Sequence, residues 1–218
     1  PLKCLFKSSS TLGNAAILHH GSGSLYYSAV NSAAGGPYTT ELVKIDSPNS
    51  ISAFNLLGVR TVTEVQLVSG GCTHTGAPVT RLILAPKGIT RTAWATATGT
   101  ECPTTVFMTG GELSVYAGTS STVYMTGGIL TVNAVSDTLG PTVYMRGGLV
   151  RWNSTGTPAS TGATLVMTGG TVDFTLLPNT ILVGGATVGT FRHSRNITII
   201  GDYTLATNGG VESHIGED

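Results

Sequence analysis

Few residues in this chain of 218 could do chemistry, and they are scattered. Cys72-Thr73-His74 offers two soft ligands one residue apart, but a zinc site needs four donors, usually in paired short spacings, and no second pair stands at such a spacing. His19-His20 is an isolated doublet. The three cysteines, Cys4, Cys72 and Cys102, are an odd number too small for a disulfide framework and read as free thiols. No metal and no cofactor is expected. Asn153-Ser154-Thr155 and Asn196-Ile197-Thr198 fit the N-glycosylation pattern, which a Thr-rich chain produces by chance and which matters only if the chain is secreted.

The elements that would position these groups are set by a repeat. All four methionines occupy one slot: Val-Phe-Met-Thr-Gly-Gly at 106–111, Val-Tyr-Met-Thr-Gly-Gly at 123–128, Val-Tyr-Met-Arg-Gly-Gly at 143–148 and Leu-Val-Met-Thr-Gly-Gly at 165–170. The leading glycines Gly110, Gly127, Gly147 and Gly169 are 17, 20 and 22 residues apart, a spacing that belongs to solenoids. Looser copies extend it at 66–71 and 82–88 upstream, and at 181–185 and 197–201 downstream, the latter two with a one-residue slip.

Within a copy, apolar residues alternate with period two: Val123, Met125, then Leu130 and Val132 beyond the glycines. Period two is a strand pattern, and the β-branched and aromatic content agrees with it. A sandwich of antiparallel hairpins would put turns every 8 to 12 residues or so, without one motif recurring at every second or third strand. The expected fold is therefore all-β, a single-stranded parallel β-helix (β-solenoid) of about seven rungs stacked at about 4.8 Å, with paired glycines at a sharp corner. Residues 61–203 form the coil, residues 1–60 an irregular N-terminal cap or arm able to bind a partner, and residues 204–218 a polar tail. A cap is expected because a bare coil end exposes unpaired backbone groups.

Stacking specifies which residues meet. Met108, Met125, Met145 and Met167 form one inward column, and Val106, Val123, Val143 and Leu165 another. Leu113, Leu130, Val150 and Val172 form a third, and Val115, Val132, Trp152 and Phe174 a fourth. A flexible thioether suits the irregular space beside a corner, so the Met column reads as packing rather than a copper site.

Outward positions carry the candidate function. Phe107, Tyr124 and Tyr144, with Ile129 and Leu149 beyond the corner, would align as an apolar stripe on a face that should be wet, and exposed contiguous apolar surface marks interaction sites. Tyrosine is enriched at interfaces. An intersubunit contact is the first reading, and coverage by the chain's own loops or arm the second. Arg151 and Asp173 fall on adjacent rungs and would pair weakly. No two carboxylates fall in neighbouring slots as glycoside hydrolysis would need, so no catalytic residue is expected and the chain reads as a non-enzyme.

Composition narrows the partners. Only 10% of residues are charged, balanced at 11 basic and 11 acidic, whereas about 25% is usual; a surface so poor in charge suggests cover by other subunits. The absence of a basic cluster argues against nucleic acid. No apolar run is long enough for a membrane span, and the first seven residues lack the apolar core of a signal peptide, which points to synthesis in a host cytoplasm.

The strand, Gly-Gly, Leu-x-Val pattern over residues 65–202 resembles β-helical bacteriophage virion proteins and, in style, autotransporter passengers. Passengers belong to longer chains with a leader and a membrane barrel, so the phage virion is the nearer resemblance. It implies a capsid decoration, or cement, protein: a homotrimer on the capsid surface that bridges capsomers through contacts with the major capsid protein. A tailspike- or adhesin-like receptor- or polysaccharide-binding β-helix is the alternative.

Overall fold

The computed structural model describes residues 4–6, 15–20, 25–29, 39–46, 54–58, 61–70, 72–75, 79–85, 91–94, 103–116, 121–134, 141–154, 164–175, 182–183, 190–194, 196–201, 204–205 and 211–213. They are all strands and corners, and all the strand pairings are parallel. The strands stack in two sheets of ten, with a third sheet of two short strands, Leu182–Val183 and Thr204–Leu205. Successive strands of the chain alternate between the two large sheets over most of its length, so the chain coils: a β-solenoid, with about three turns across the four motif copies.

The four motif copies build those turns. The strands before the corner, Thr105–Met108, Thr122–Met125, Thr142–Met145 and Thr164–Met167, lie in one sheet. Those after it, Glu112–Tyr116, Ile129–Ala134, Leu149–Ser154 and Gly170–Asp173, lie in the other. Register stacks like on like: Met108 on Met125 on Met145 on Met167, and Leu113 on Leu130 on Val150 on Val172. The sixteen side chains of the four inward columns are all buried, none more than 3% exposed. Alternation supplies the reason, since the period-two pattern turns every second side chain into the space between the sheets.

Corners stay paired through the bend. The Thr126 amide donates to Met108 O at 2.9 Å and the Ile129 amide to Gly111 O at 2.8 Å; one rung on, Arg146 donates to Met125 O at 2.8 Å and Leu149 to Gly128 O at 2.9 Å. Such pairing brings backbone onto backbone. A Cβ on Gly127 would stand 2.6 Å from Thr109 O, so the first glycine is required for space. Gly128 is crowded too and has φ of +91°, a left-handed conformation that costs any residue with a Cβ.

Three outlying copies sit differently from the sequence alignment. Leu67 pairs with Leu84, and Leu84 with Met108, so Gly70, at φ 87°, takes the place of Gly111 and not of Gly110. Downstream, Ile197–Ile200 was expected before a corner but pairs with Gly170–Asp173, beyond it; Thr190–His193 is the strand that stacks on Thr164–Met167. Leu182–Val183, from the copy at 181–185, lies in the small third sheet. Strand pairing, rather than the position of glycines, sets the register there.

Among the described residues, strands on the two sides of the expected boundary at residue 61 pair with each other. Thr39–Asp46 pairs with Thr61–Ser69, and Cys4–Phe6, Ala15–His20, Leu25–Ala29 and Phe54–Gly58 join the same two sheets. Most of the expected tail, like Cys102, lies outside the described residues.

Candidate functional site: an aromatic ridge and its groove

The outer face of the sheet that precedes the corners is arranged in columns. Thr105, Thr122, Thr142 and Thr164 form the first, and Phe107, Tyr124, Tyr144 and Val166 the second. A third follows at the start of the corner, with Thr109, Thr126, Arg146 and Thr168. Each columnar neighbour is one strand spacing away, about 4.8 Å, so side chains of the same type meet face to face.

The aromatic column does so closely. Phe107 and Tyr124 stack with ring centroids 5.3 Å apart and planes 14° from parallel, and Tyr124 and Tyr144 are 5.3 Å apart at 11°. The three are 40%, 44% and 42% exposed in that chain order, a large apolar outlay to leave in water. Stacking of this kind contributes about 0.5–1.5 kcal/mol per pair. It also fixes what solvent sees: both faces of Tyr124 are turned to its neighbours, leaving ring edges and the phenol hydroxyl outward.

Beside the ridge runs a concavity of about 410 Å³. Phe107, Tyr124, Tyr144 and Val166 make one wall and Thr126, Arg146 and Thr168 the other, with Met125 and Met145 between them. The threonine hydroxyls are engaged with the rung beneath: Thr126 Oγ1 donates to Met108 O at 3.4 Å and Thr168 Oγ1 to Met145 O at 3.5 Å. Arg146 interrupts this column and is exposed. Among the described residues of the lining it is the one that is charged, and none of them is a carboxylate.

Ile129 and Leu149, expected in the same stripe, pair with each other on the second sheet and are half-buried; they do not line the concavity. The corner separates them from the ridge. Sequence reasoning did not single out Arg146 as part of a site, although one signal was there: it is the departure from Met-Thr-Gly-Gly in the strong copies.

Other candidates are placed as follows. Arg151 and Asp173 are register partners, but the closest hydrogen-bond donors to the Asp173 carboxylate belong to Thr175, whose Oγ1 donates at 2.6 Å and whose amide donates at 2.9 Å. These bonds hold the Asp173 pKa below its ordinary 3.8, first the hydroxyl and then the amide, against a desolvation effect that raises it; Arg151 adds a smaller lowering through space. Cys72 and His74 lie in the strand Cys72–Thr75, and His19 and His20 in Ala15–His20, with side chains outside the described set. Among the described residues no group of three His, Cys, Asp or Glu is placed to hold a metal ion, and no helix is long and apolar enough to cross a membrane.

Compared with known proteins, the chain matches no family profile, no curated protein and no solved structure.

Proposed function

We propose that this chain is a non-catalytic structural protein that associates with itself through the aromatic ridge. The observation that carries the reading is the stack of Phe107, Tyr124 and Tyr144, each more than a third exposed on a rigid parallel sheet. A contiguous exposed stack of this size on a charge-poor surface has the composition of an interface centre. Rigidity suits a clamp, because seam contacts stay in register without further ordering of the backbone.

The setting that the sequence resemblance implies is a phage virion. In it, copies forming a homotrimer decorate the capsid surface and bridge capsomers of the major capsid protein, and many seam contacts raise the barrier to rupture. In that setting residues 61–203 supply about seven rungs, the strands between residues 4 and 58 continue the same two sheets, and residues 1–60 form the end that meets the shell. The alternative, a receptor- or polysaccharide-binding spike, asks for ring faces open to sugars, and the mutual stacking of the rings weighs against it.

Analytical ultracentrifugation of wild type and of the Tyr124→Ser, Tyr144→Ser double variant tests the seam. The expected result is an oligomer that becomes a folded monomer in the variant. A wild type that stays monomeric at high micromolar concentration, or a variant that associates unchanged, overturns it. Copy number in the native particle separates shell from tail: hundreds per particle mean a shell protein.

A further inference from the structure

We propose that the groove between the aromatic column and Thr126, Arg146 and Thr168 binds an elongated, planar aromatic anion lying along the coil axis. The shape comes from the repeat. One wall runs over four rungs and the other over three, each in a straight column, so the groove is a straight channel roughly 14 Å long on its aromatic side, at about 4.8 Å per rung, open along its outer side. A rigid rod matches such a channel at every rung; a compact ligand would meet one rung and leave the others wet. At about 410 Å³ its volume falls in the range of small-molecule sites.

The charge comes from ring orientation. An aromatic ring is negative on its faces and positive at its edges. With the faces of Tyr124 spent on Phe107 and Tyr144, the wall presents positive edges and a phenol hydroxyl. A flat ligand set against those edges gains edge-to-face contact with its own negative π face. The opposite wall adds Arg146, the one cationic donor among its described residues, beside the hydroxyls of Thr126 and Thr168, which turn toward carbonyl oxygens at 3.4 and 3.5 Å. A guanidinium pairs with a carboxylate or sulfonate in a charge-assisted fork and lies well over a π face. With no acid among the described lining residues to oppose it, an anion is selected over a cation of the same shape.

The groove shares Tyr124 and Tyr144 with the proposed seam, so ligand and second copy compete, yet the site itself does not depend on self-association. The test is equilibrium titration of the full chain, at a concentration where sedimentation shows monomer, with two rods of opposite charge: the bis-azo disulfonate Congo red and the cationic benzothiazolium dye thioflavin T. The expected result is tighter binding of Congo red, at one per chain. Arg146→Gln weakens it about tenfold or more, as loss of a charged hydrogen bond does, while Arg146→Lys retains most of it and neither change weakens thioflavin T. Tyr124→Leu weakens both dyes. Tighter binding of thioflavin T by the wild type, or Congo red affinity unchanged in Arg146→Gln, overturns the proposal. Arg146 is exposed and its variants keep the fold, which far-ultraviolet circular dichroism checks. A chain that is monomeric at every concentration refutes the seam and leaves this outcome readable.

Discussion

Replacing the second glycine of a corner by alanine should cost most at Gly128, less at Gly148 and least at Gly170, and that order follows from what each new methyl would strike. At Gly128 it would meet Gly110 C, Gly110 O and Gly111 O, all at 2.7 Å. These are backbone atoms of the rung beneath, and Gly111 O is the acceptor of the Ile129 amide, so moving it disturbs the ladder. At Gly148 one backbone oxygen lies at 2.7 Å and one carbon at 2.9 Å, and at Gly170 the backbone contacts relax to 2.9 and 3.1 Å. The remaining close atom at both positions is a methionine Cε, the end of a side chain that can swing away.

The left-handed backbone costs alanine about 1–2 kcal/mol at each site. Forcing the rungs apart adds about 1–3 kcal/mol at Gly128, by analogy with an overfilled core. Stiffening of the unfolded chain offsets about 0.4–1 kcal/mol. Gly128→Ala should therefore lose about 3 kcal/mol, a large part of the roughly 5–15 kcal/mol that holds a domain folded. For a chain of this size it lowers Tm by about 10 °C. Solenoids open rung by rung, so hydrogen exchange of the Ile129, Leu149 and Thr171 amides is the sharper readout beside urea unfolding: exchange should quicken most at the altered rung. Three variants within about 0.5 kcal/mol of wild type, or the reverse order, would mean that the glycines do not lie over one another, and the coil would be refuted with them.

Two further outcomes follow from single groups. Trp152 is fully buried and its Nε1 finds no hydrogen-bond partner among the described residues; Trp152→Ala should cost about 3–5 kcal/mol, whereas Trp152→Phe should cost less than half as much in urea unfolding, because losing an unpaired donor offsets the lost volume. The Asp173 carboxyl is depressed in the folded chain, so its contribution is fully present above the ordinary carboxylate value and is lost as pH falls through the lower, folded value; in acid titrations Asp173→Asn should be less stable at neutral pH and flatter below pH 4 or so, and curves that stay parallel would contradict the Thr175 bonds.

The stacked core was legible because it obeys two periodicities at once, period two along each strand and one motif per rung. A methionine and a glycine pair in the same slot made the second visible, and Val106, Val123, Val143 and Leu165 then had to meet. Legibility ended where glycine ceased to report the corner. Gly70 precedes another glycine, and the sequence aligns it with Gly110; the pairing of Leu67 with Leu84 and its φ of 87° set it in the place of Gly111. Ile197–Ile200 is followed by a glycine and so resembles a strand before a corner, but Gly201 lies against Thr175, where a Cβ would stand 2.8 Å from the Thr175 amide nitrogen. The aromatic column could be read from the sequence; the groove could not, because its second wall is built from residues that serve the corner.

In a coil that sets each residue on its counterpart, the repeat itself carries structure and the departures from it carry information. Thr109, Thr126 and Thr168 all do one task, each tying its rung to a carbonyl of the rung beneath. Arg146 stands in the same slot without the hydroxyl that such a tie uses. An arginine there forgoes that bond and places a charge beside the exposed rings, in a chain where only 10% of residues are charged. The fold does not ask for it, since three of the four copies manage with threonine. Its charge is therefore available to the ligand proposed for the groove beside the tyrosine stack.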